Sequence, residues 1–446
     1  MFEQLKFHDN KYSKDPILSC ALEGVASIIA GIKDVSIVIH SPQGCAATVN
    51  NAYDAHEIDF TKRKIGCTRL FESDIIMGAS EKLESMIKEA DKTFKTNIMF
   101  VVGTCSADII GEDIEAICRV MQSEVNAKLI PIMAGGFRGN SYDGIDLGLD
   151  ALFNFIKRND DKVDRTVNII APQGNLNPTW WADLEWVKEV LESLNIKINT
   201  VFTHNTTIEE IENSSKSFAN ILLSHDAGYD FAKKMEDIHG VPLILENIPL
   251  PIGVGNTNKW LRALGKFFSV EKKVEEIIKT GEELVIDILR RRALMIIPRY
   301  RNCKIAISSD CTIGIGMLRM IFEELEMIPE VLLFKSGAEE AKKLLEKELN
   351  ELGISPKVAF SVDGYEIKEG LKNEELDLVI GSAWEKYITE EIGIKISFDV
   401  LSPTNREAYI DKPYLGYEGM LNILEIFAND WERAFRSKQI YKRNCV

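Results

Sequence analysis

The chain has 446 residues, of which 45% are hydrophobic, and it carries a formal net charge of −16. A chain of this length and composition can bury several cores, so two or three globular units are expected. The acidic surface disfavours nucleic acid or an anionic membrane as the main partner, because both would repel it. The N-terminal stretch has no apolar signal core, and no charge-free apolar run approaches the roughly 20 residues of a membrane helix. A cytoplasmic protein is therefore expected.

Apolar strand-like runs alternate with amphipathic helical stretches along the whole chain. The strand-like runs include VSIVIH, NIMFVVG and KLIPIMA early, VNIIAP, INTVFT and NILLSH in the middle, and CKIAISS, EVLLFK and LDLVIGS late. Helical stretches such as SEKLESMIKEADKTF repeat apolar residues at intervals of three and four. This alternation predicts an α/β protein with three consecutive parallel sheets. The expected units are residues 1–162, 163–268 and 269–446, the last including a linking helix and a C-terminal helix.

Three of the eight cysteines lie where parallel strands end. Cys45 follows VSIVIH in a tight turn, Cys105 follows NIMFVVG, and Cys20 precedes a small-residue helix that leads into the first strand. No cysteines form a C-x-x-C pair, so a zinc ribbon is not indicated. Because parallel sheets place ligands at the carboxyl ends of their strands, the three thiols form a candidate iron–sulfur site. Ordinary buried packing thiols are the alternative.

Glycines lie beside these cysteines in the sequence. We expect them to leave room for cluster sulfides and to donate amide hydrogen bonds. Three thiols are one fewer than a single cubane needs, which suits a cluster shared with a partner chain or completed by an oxygen ligand. The glycines in question are Gly24, Gly44, Gly103 and Gly111.

A series of longer motifs occurs in a characteristic order: SCALEG, SPQGCA, FESDIIMGASEKL, GTCSADIIGEDIEAICR, AGGFRGNSYDG, IPLPIGVGNTNKWLRAL and KPYLGYEGM. This order resembles that of nitrogenase component 1 subunits and of the related scaffold proteins for cofactor assembly, over nearly the whole chain. The resemblance implies three Rossmann-like domains around a central crevice. It also implies an iron–sulfur cluster, P-cluster-like or [4Fe–4S], at the interface with a second component-1-type subunit, homologous or identical. The positions in this chain that match the family's cluster ligands are Cys20, Cys45 and Cys105.

The same resemblance implies an ATP-dependent iron protein as the electron donor. The sequence contains no G-x-x-x-x-G-K-[ST] phosphate loop, so ATP hydrolysis is expected on that partner.

The chain departs from the family at the positions that hold the molybdenum–iron cofactor. Ser224 stands where the family's cofactor-bearing subunit has a cysteine, and no histidine follows His239. The resemblance therefore implies that this chain carries no molybdenum–iron cofactor. IPLPIGVGNTNKWLRAL is similar to the beta-type subunit and GGFRGNS to the alpha type, so the assignment within the family is mixed.

Other cysteines have simpler interpretations. Cys67, in KRKIGCTRLFES, is interpreted as a free thiol in a loop, with an extra ligand as the alternative. Cys118 on a helix and Cys303 inside a strand are expected to be packing residues, and the same is preferred for Cys311 at a strand tip.

His225 and Asp226 follow a strand and could face the central crevice as an acid or base, or could be structural. Trp180, Trp181 and Trp260 are expected to cover a core or a subunit interface.

Two functions follow from the resemblance. The first is a subunit of a nitrogenase-like reductase that receives electrons through an interface cluster and helps to reduce dinitrogen or another difficult substrate, such as a tetrapyrrole or an organosulfur compound. The alternative is a scaffold that holds a cluster precursor during cofactor assembly. A metal-free Rossmann-like binding protein is the third hypothesis.

Overall fold

A computed structural model describes residues 3–5, 18–173, 177–372, 374–406 and 412–443, without the side chains of residues 4, 295, 297 and 436–443. These residues form three parallel sheets with helices on both faces, so the predicted α/β architecture is confirmed. The first strand, β1 (Glu3–Gln4), does not join the sheet that follows it in sequence. It pairs in parallel with a strand at residues 357–360 in the third sheet.

The first sheet contains the thiol-bearing segments. Its strand order is β3-β2-β4-β5, and the residues of β2 and β4 are all buried. The strands are β2 (Val35–His40), β3 (Ile65–Cys67), β4 (Ile98–Gly103) and β5 (Lys128–Met133). The helices are α1 (Ala21–Ala30), α2 (Gln43–Ala55), α3 (Glu72–Met77), α4 (Ser80–Phe94), α5 (Cys105–Ile110), α6 (Ile114–Met121) and α7 (Ser141–Phe153).

The second sheet has the order β7-β6-β8-β9. Its strands are β6 (Val163–Ile170), β7 (Lys197–Phe202), β8 (Ser217–Leu222) and β9 (Leu243–Ile244). The helices are α8 (Trp180–Ser193), α9 (Ile208–Glu212), α10 (Tyr229–His239) and α11 (Gly253–Phe268).

A long helix, α12 (Glu271–Tyr300), leads to the third sheet, whose order is β1-β12-β11-β10-β13-β14. The strands are β10 (Lys304–Ser309), β11 (Ile328–Phe334), β12 (Lys357–Phe360), β13 (Leu378–Gly381) and β14 (Ile396–Asp399). The helices are α13 (Cys311–Arg319), α14 (Glu339–Leu352), α15 (Gly364–Lys372), α16 (Ala383–Ile392) and α17 (Gly416–Arg443).

Apolar cores run across the junctions between the sheets. One contains Val167 and Trp260 beside Ile305 and Phe427, and another contains Ile39 beside Phe202. We propose domain boundaries at 1–162, 163–268 and 269–446, with the addition that β1 belongs to the third sheet.

Helices α1 and α7 pack with their backbones in close approach. A Cβ atom on Gly24 would lie 2.0 Å from the carbonyl oxygen of Ser141, and one on Gly144 would lie 2.0 Å from the carbonyl oxygen of Ala21. No side chain fits at either position, so glycine is required by the contact. The Ser141 hydroxyl also donates to the carbonyl of Leu18 at 2.8 Å. These contacts fix the segment that enters α1.

The second and third sheets are joined by the carboxylate of Asp226, which is buried at the N-terminus of α13. It accepts hydrogen bonds from the backbone N–H groups of Cys311 and Thr312 at 3.2 and 2.8 Å and from the hydroxyls of Thr312 and Ser336. The first N–H groups of a helix have no partner within the helix, and a carboxylate there also complements the helix dipole. Asp226 therefore holds the two sheets in a fixed relation.

Within the described residues, no helix is both long enough and apolar enough to cross a membrane.

Replacing Asp226 with Ala should lower the free energy of unfolding by about 3 kcal/mol, because it leaves buried donors without an acceptor. Urea unfolding followed by circular dichroism measures the change. Asp160→Ala is the control, since the Asp160 side chain is 88% exposed and its replacement should change stability by less than about 0.5 kcal/mol. Equal unfolding midpoints for the two variants would contradict the structural role of Asp226.

Candidate functional site

The three predicted thiols lie at the beginnings of three helices. Cys20 is the N-cap residue of α1, Cys45 lies in the first turn of α2, and Cys105 is the first residue of α5. Helices α2 and α5 follow the neighbouring strands β2 and β4, whose last residues, His40 and Gly103, are paired in register. Cys45 thus lies in a helical turn and not in the tight loop that the sequence suggested. A helix N-terminus carries partial positive charge, which favours a thiolate over a thiol.

Burial acts against that ionisation. All three thiols are half-buried. Desolvation raises the pKa of Cys20, and the backbone N–H groups of Leu22 and Glu23, which hydrogen-bond the sulfur, partly oppose this effect. Burial also raises the pKa of Cys45, and negative charge on Cys20 or Cys105 raises it further. The three sulfurs therefore lie within electrostatic reach of one another, where a bound cation would stabilise all three as thiolates.

A glycine lies between two of the cysteines. The backbone N–H of Gly136 donates to the sulfur of Cys105 at 2.9 Å. A Cβ atom on Gly136 would lie 3.4 Å from that sulfur and 3.5 Å from the Cβ atom of Cys20, so a side chain there would occupy the space between the two cysteines. Amide donors to sulfur are typical surroundings of iron–sulfur clusters.

Gly136 is not among the four glycines predicted from the sequence, and two of those four pack against other parts of the chain. Gly24 packs on α7, and a Cβ atom on Gly103 would contact the side chain of Met133. Cβ atoms on Gly44 and Gly111 would meet no described atom within 4 Å. The available signal was the run AGGFRG directly after β5, a neighbour of β4 in the sheet.

The residues present fit an iron–sulfur cluster in the chemistry of their donors: soft thiolates, helix N-termini and a backbone amide directed at sulfur. Among the described side chains, no group of three or more His, Cys, Asp or Glu residues is arranged to hold a metal ion. The ligands of a multi-iron cluster each bind a different iron and are spread around the whole cluster.

The structure changes the interpretation of two other cysteines. Cys67 is the last residue of β3, not a loop residue, and its sulfur lies 3.6 Å from the Ser41 hydroxyl. Cys303 immediately precedes β10 instead of lying inside a strand, and its thiol donates to the carbonyl of Arg299 at 3.1 Å.

Two further cysteines are buried. Cys118 is 3% exposed within an apolar cluster, as expected of a packing residue. Cys311 is fully buried at the start of α13. Cys445 lies outside the described residues.

A cavity of about 730 Å³ opens among Trp180, Arg406 and Asp430. A smaller cavity beside it, between the sheets, has a volume of about 50 Å³. Its lining includes Ser224, whose hydroxyl is 3.4 Å from that of Thr312, and the backbone N–H of His225 donates to the same Thr312 hydroxyl at 2.8 Å. Burial lowers the pKa of His225, which keeps the imidazole neutral. Asp226 is engaged with α13, so the structural interpretation of this pair is favoured over an acid–base role.

The tryptophans take core positions. Trp180 and Trp260 are 5% and 2% exposed, and the indole N–H of Trp180 donates to the carbonyl of Ala55 at 2.8 Å. Trp181 is half-buried and packs edge-on against Trp180 and His204.

Three parallel sheets around a crevice, with thiols at the carboxyl edge of the first, define a class of protein. Residues 20–432 match the nitrogenase component 1 type oxidoreductase family, and the chain belongs to this family.

Its relatives include alpha and beta chains of nitrogenases and a biosynthesis protein. The chain is 26% identical to the nitrogenase iron-molybdenum cofactor biosynthesis protein NifE of Methanococcus maripaludis, covering 92% of this chain and 82% of the relative. It is also 26% identical to the nitrogenase molybdenum-iron protein alpha chain of Methanococcus maripaludis (94% and 87% covered) and to the nitrogenase vanadium-iron protein beta chain of Trichormus variabilis (93% and 93%). A solved structure of nitrogenase Cp1 at pH 6.5 superposes with a TM-score of 0.77 at 21% identity, covering 99% of this chain and 97% of that one, which establishes the shared fold.

Proposed function

We propose that this chain is a subunit of a nitrogenase-like reductase in which Cys20, Cys45 and Cys105 hold an iron–sulfur cluster at the interface with a second component-1-type subunit. The observation that carries the proposal is the placement of three half-buried thiols at helix N-termini, two of which, Cys20 and Cys105, lie beside Gly136. When bound, the cluster would supply one-electron storage. The helix termini and the amide would stabilise its negative charge and hold its ligands in place.

Exposed apolar side chains next to the thiols support a protein partner at this edge. Ile76 and Met77 on α3 are 80% and 84% exposed, and Ile109 on the neighbouring α5, four residues after Cys105, is 65% exposed. Large apolar side chains grouped on a surface mark contact sites between proteins. We propose that the second subunit and an ATP-dependent iron protein approach this edge, since the sequence has no phosphate loop of its own. Partners of this kind also agree with the expected cytoplasmic location.

A scaffold for cofactor assembly is the second candidate. The relationship to the biosynthesis protein NifE favours it, at the same 26% identity as the catalytic alpha chain. The two candidates differ in turnover. A reductase, supplied with its iron protein and ATP, reduces a substrate repeatedly, whereas a scaffold releases a metal cluster to an acceptor and then stops. Measuring both activities on the purified assembly separates them.

Alanine replacement of Cys20, Cys45 or Cys105 should remove most of the iron from the protein, because each change deletes a metal–sulfur bond. Iron and sulfide are measured after anaerobic purification. Cys118→Ala is the control, since that thiol is buried in an apolar cluster and should leave the iron content unchanged. Full iron content in all three single variants would show that these thiols hold no cluster.

The chain should purify as a dimer or as an α2β2-type assembly, because a partner subunit would shield the half-buried thiols and the neighbouring apolar side chains from solvent. An interface on the order of 2,000 Å² or more is expected. Sedimentation velocity measures the assembly. A monomer that stays folded and dispersed when purified with its native partners would contradict this expectation.

Neither molybdenum nor vanadium should co-purify with this chain. Ser224 offers no thiolate, and no histidine follows residue 239. Part of the stretch that would carry such a histidine, residues 407–411, lies outside the described residues. Elemental analysis and electron paramagnetic resonance on separated subunits provide the measurement. Stoichiometric molybdenum or vanadium retained on this chain after removal of the partner would overturn the expectation.

A further inference from the structure

Cys67 lies on the same side of the first sheet as two of the proposed ligands. It is paired in register with Ile39 and is two residues after Ile65 on the same strand. Side chains alternate between the two faces of a sheet, so Cys67 shares the face of Ile65. Ile39 and Ile65 both belong to the apolar cluster against which Cys20 and Cys45 pack. The sulfur of Cys67 is therefore at the carboxyl end of the sheet and on the face that carries those two thiols.

The segment Ser41–Pro42 connects Cys67 to Cys45. The Cys67 sulfur lies 3.6 Å from the Ser41 hydroxyl oxygen and 4.0 Å from the Pro42 carbonyl oxygen, and the backbone N–H of Cys45 donates to the same carbonyl at 3.3 Å. One carbonyl group thus contacts both the Cys67 sulfur and the Cys45 backbone. The thiol contacts are weak, because sulfur is a poor hydrogen-bond donor and the distances are long. Replacing these weak hydrogen bonds with an iron–sulfur bond would therefore cost little stabilising free energy.

We propose that Cys67 is a fourth thiolate ligand from this chain, binding an iron of the interface cluster next to Cys45. The inference rests on the proposed function, since it concerns the same cluster. When the bond forms, the thiol releases its proton to water and the sulfur donates an electron pair to iron, with no change in the number of electrons on the cluster. This chain then contributes four thiolates to the interface cluster.

The test uses the intact assembly, purified anaerobically with its native partners. Cys67→Ala should lower the iron content per chain and change the cluster's electron paramagnetic resonance signal, because it also deletes a metal–sulfur bond of the cluster. Cys303→Ala is the matched control, because Cys303 is also half-buried but lies on the third sheet's side of the molecule. Cys105→Ala reports on the cluster itself and should lose most of the iron.

Cys67→Ser controls for the possibility that Cys67→Ala loses iron because it folds poorly. Serine has nearly the size of cysteine and leaves the strand end intact. Cys67→Ser should sediment like the wild type but shift the cluster's resonance signal, because a hydroxyl oxygen is a harder and weaker iron ligand than a thiolate.

The outcomes separate the two proposals. Iron content and resonance signals equal to those of Cys303→Ala in both Cys67 variants, with the iron lost in Cys105→Ala, would overturn the fourth ligand and leave the proposed function standing. If the iron content of Cys105→Ala is also unchanged, both the proposed cluster and the proposed fourth ligand are overturned.

Discussion

The close packing of α1 on α7 is the contact on which the candidate site depends. Gly24 and Gly144 allow the two backbones to approach at a distance that no side chain would permit. This approach holds the start of α1, and with it Cys20, beside the loop that contains Gly136. The same loop supplies the amide that donates to Cys105. Two cysteines separated by 85 positions in the sequence thereby come to lie beside the same loop.

The parts of the site that follow from local pattern could be predicted, and the parts that depend on packing could not. Buried strands followed by helices place Cys45 and Cys105 at one edge, because every strand of a parallel sheet ends there. The role of Gly136 was not visible, because it depends on the direction of one backbone N–H from a neighbouring strand's loop. Cys67 was placed in a loop for a simpler reason: β3 is only three residues long, and strand ends are hard to locate from sequence.

The junction between the sheets shows how a residue capable of acid–base chemistry can have a structural role. Asp226 follows a strand and faces the junction of the sheets, which in sequence suggests an acid or a base. In the structure its two oxygens are occupied by donors from α13 and from Ser336. Sequence cannot distinguish these outcomes, because the donors come from residues more than 80 positions away. The family resemblance predicted the three parallel sheets, while the engagement of Asp226 with α13 could be seen only in the structure.

The pairing of β1 with β12 has a consequence for synthesis of the protein on the ribosome. Glu3 and Gln4 are translated more than 350 residues before their partners, Lys357 and Val358. The third sheet therefore acquires β1 only after the residues of the first and second sheets have been made. Contacts between such distant positions form slowly, because a long loop must close first. The edge strand β1 thus ties the third sheet to a segment that is translated before the first sheet.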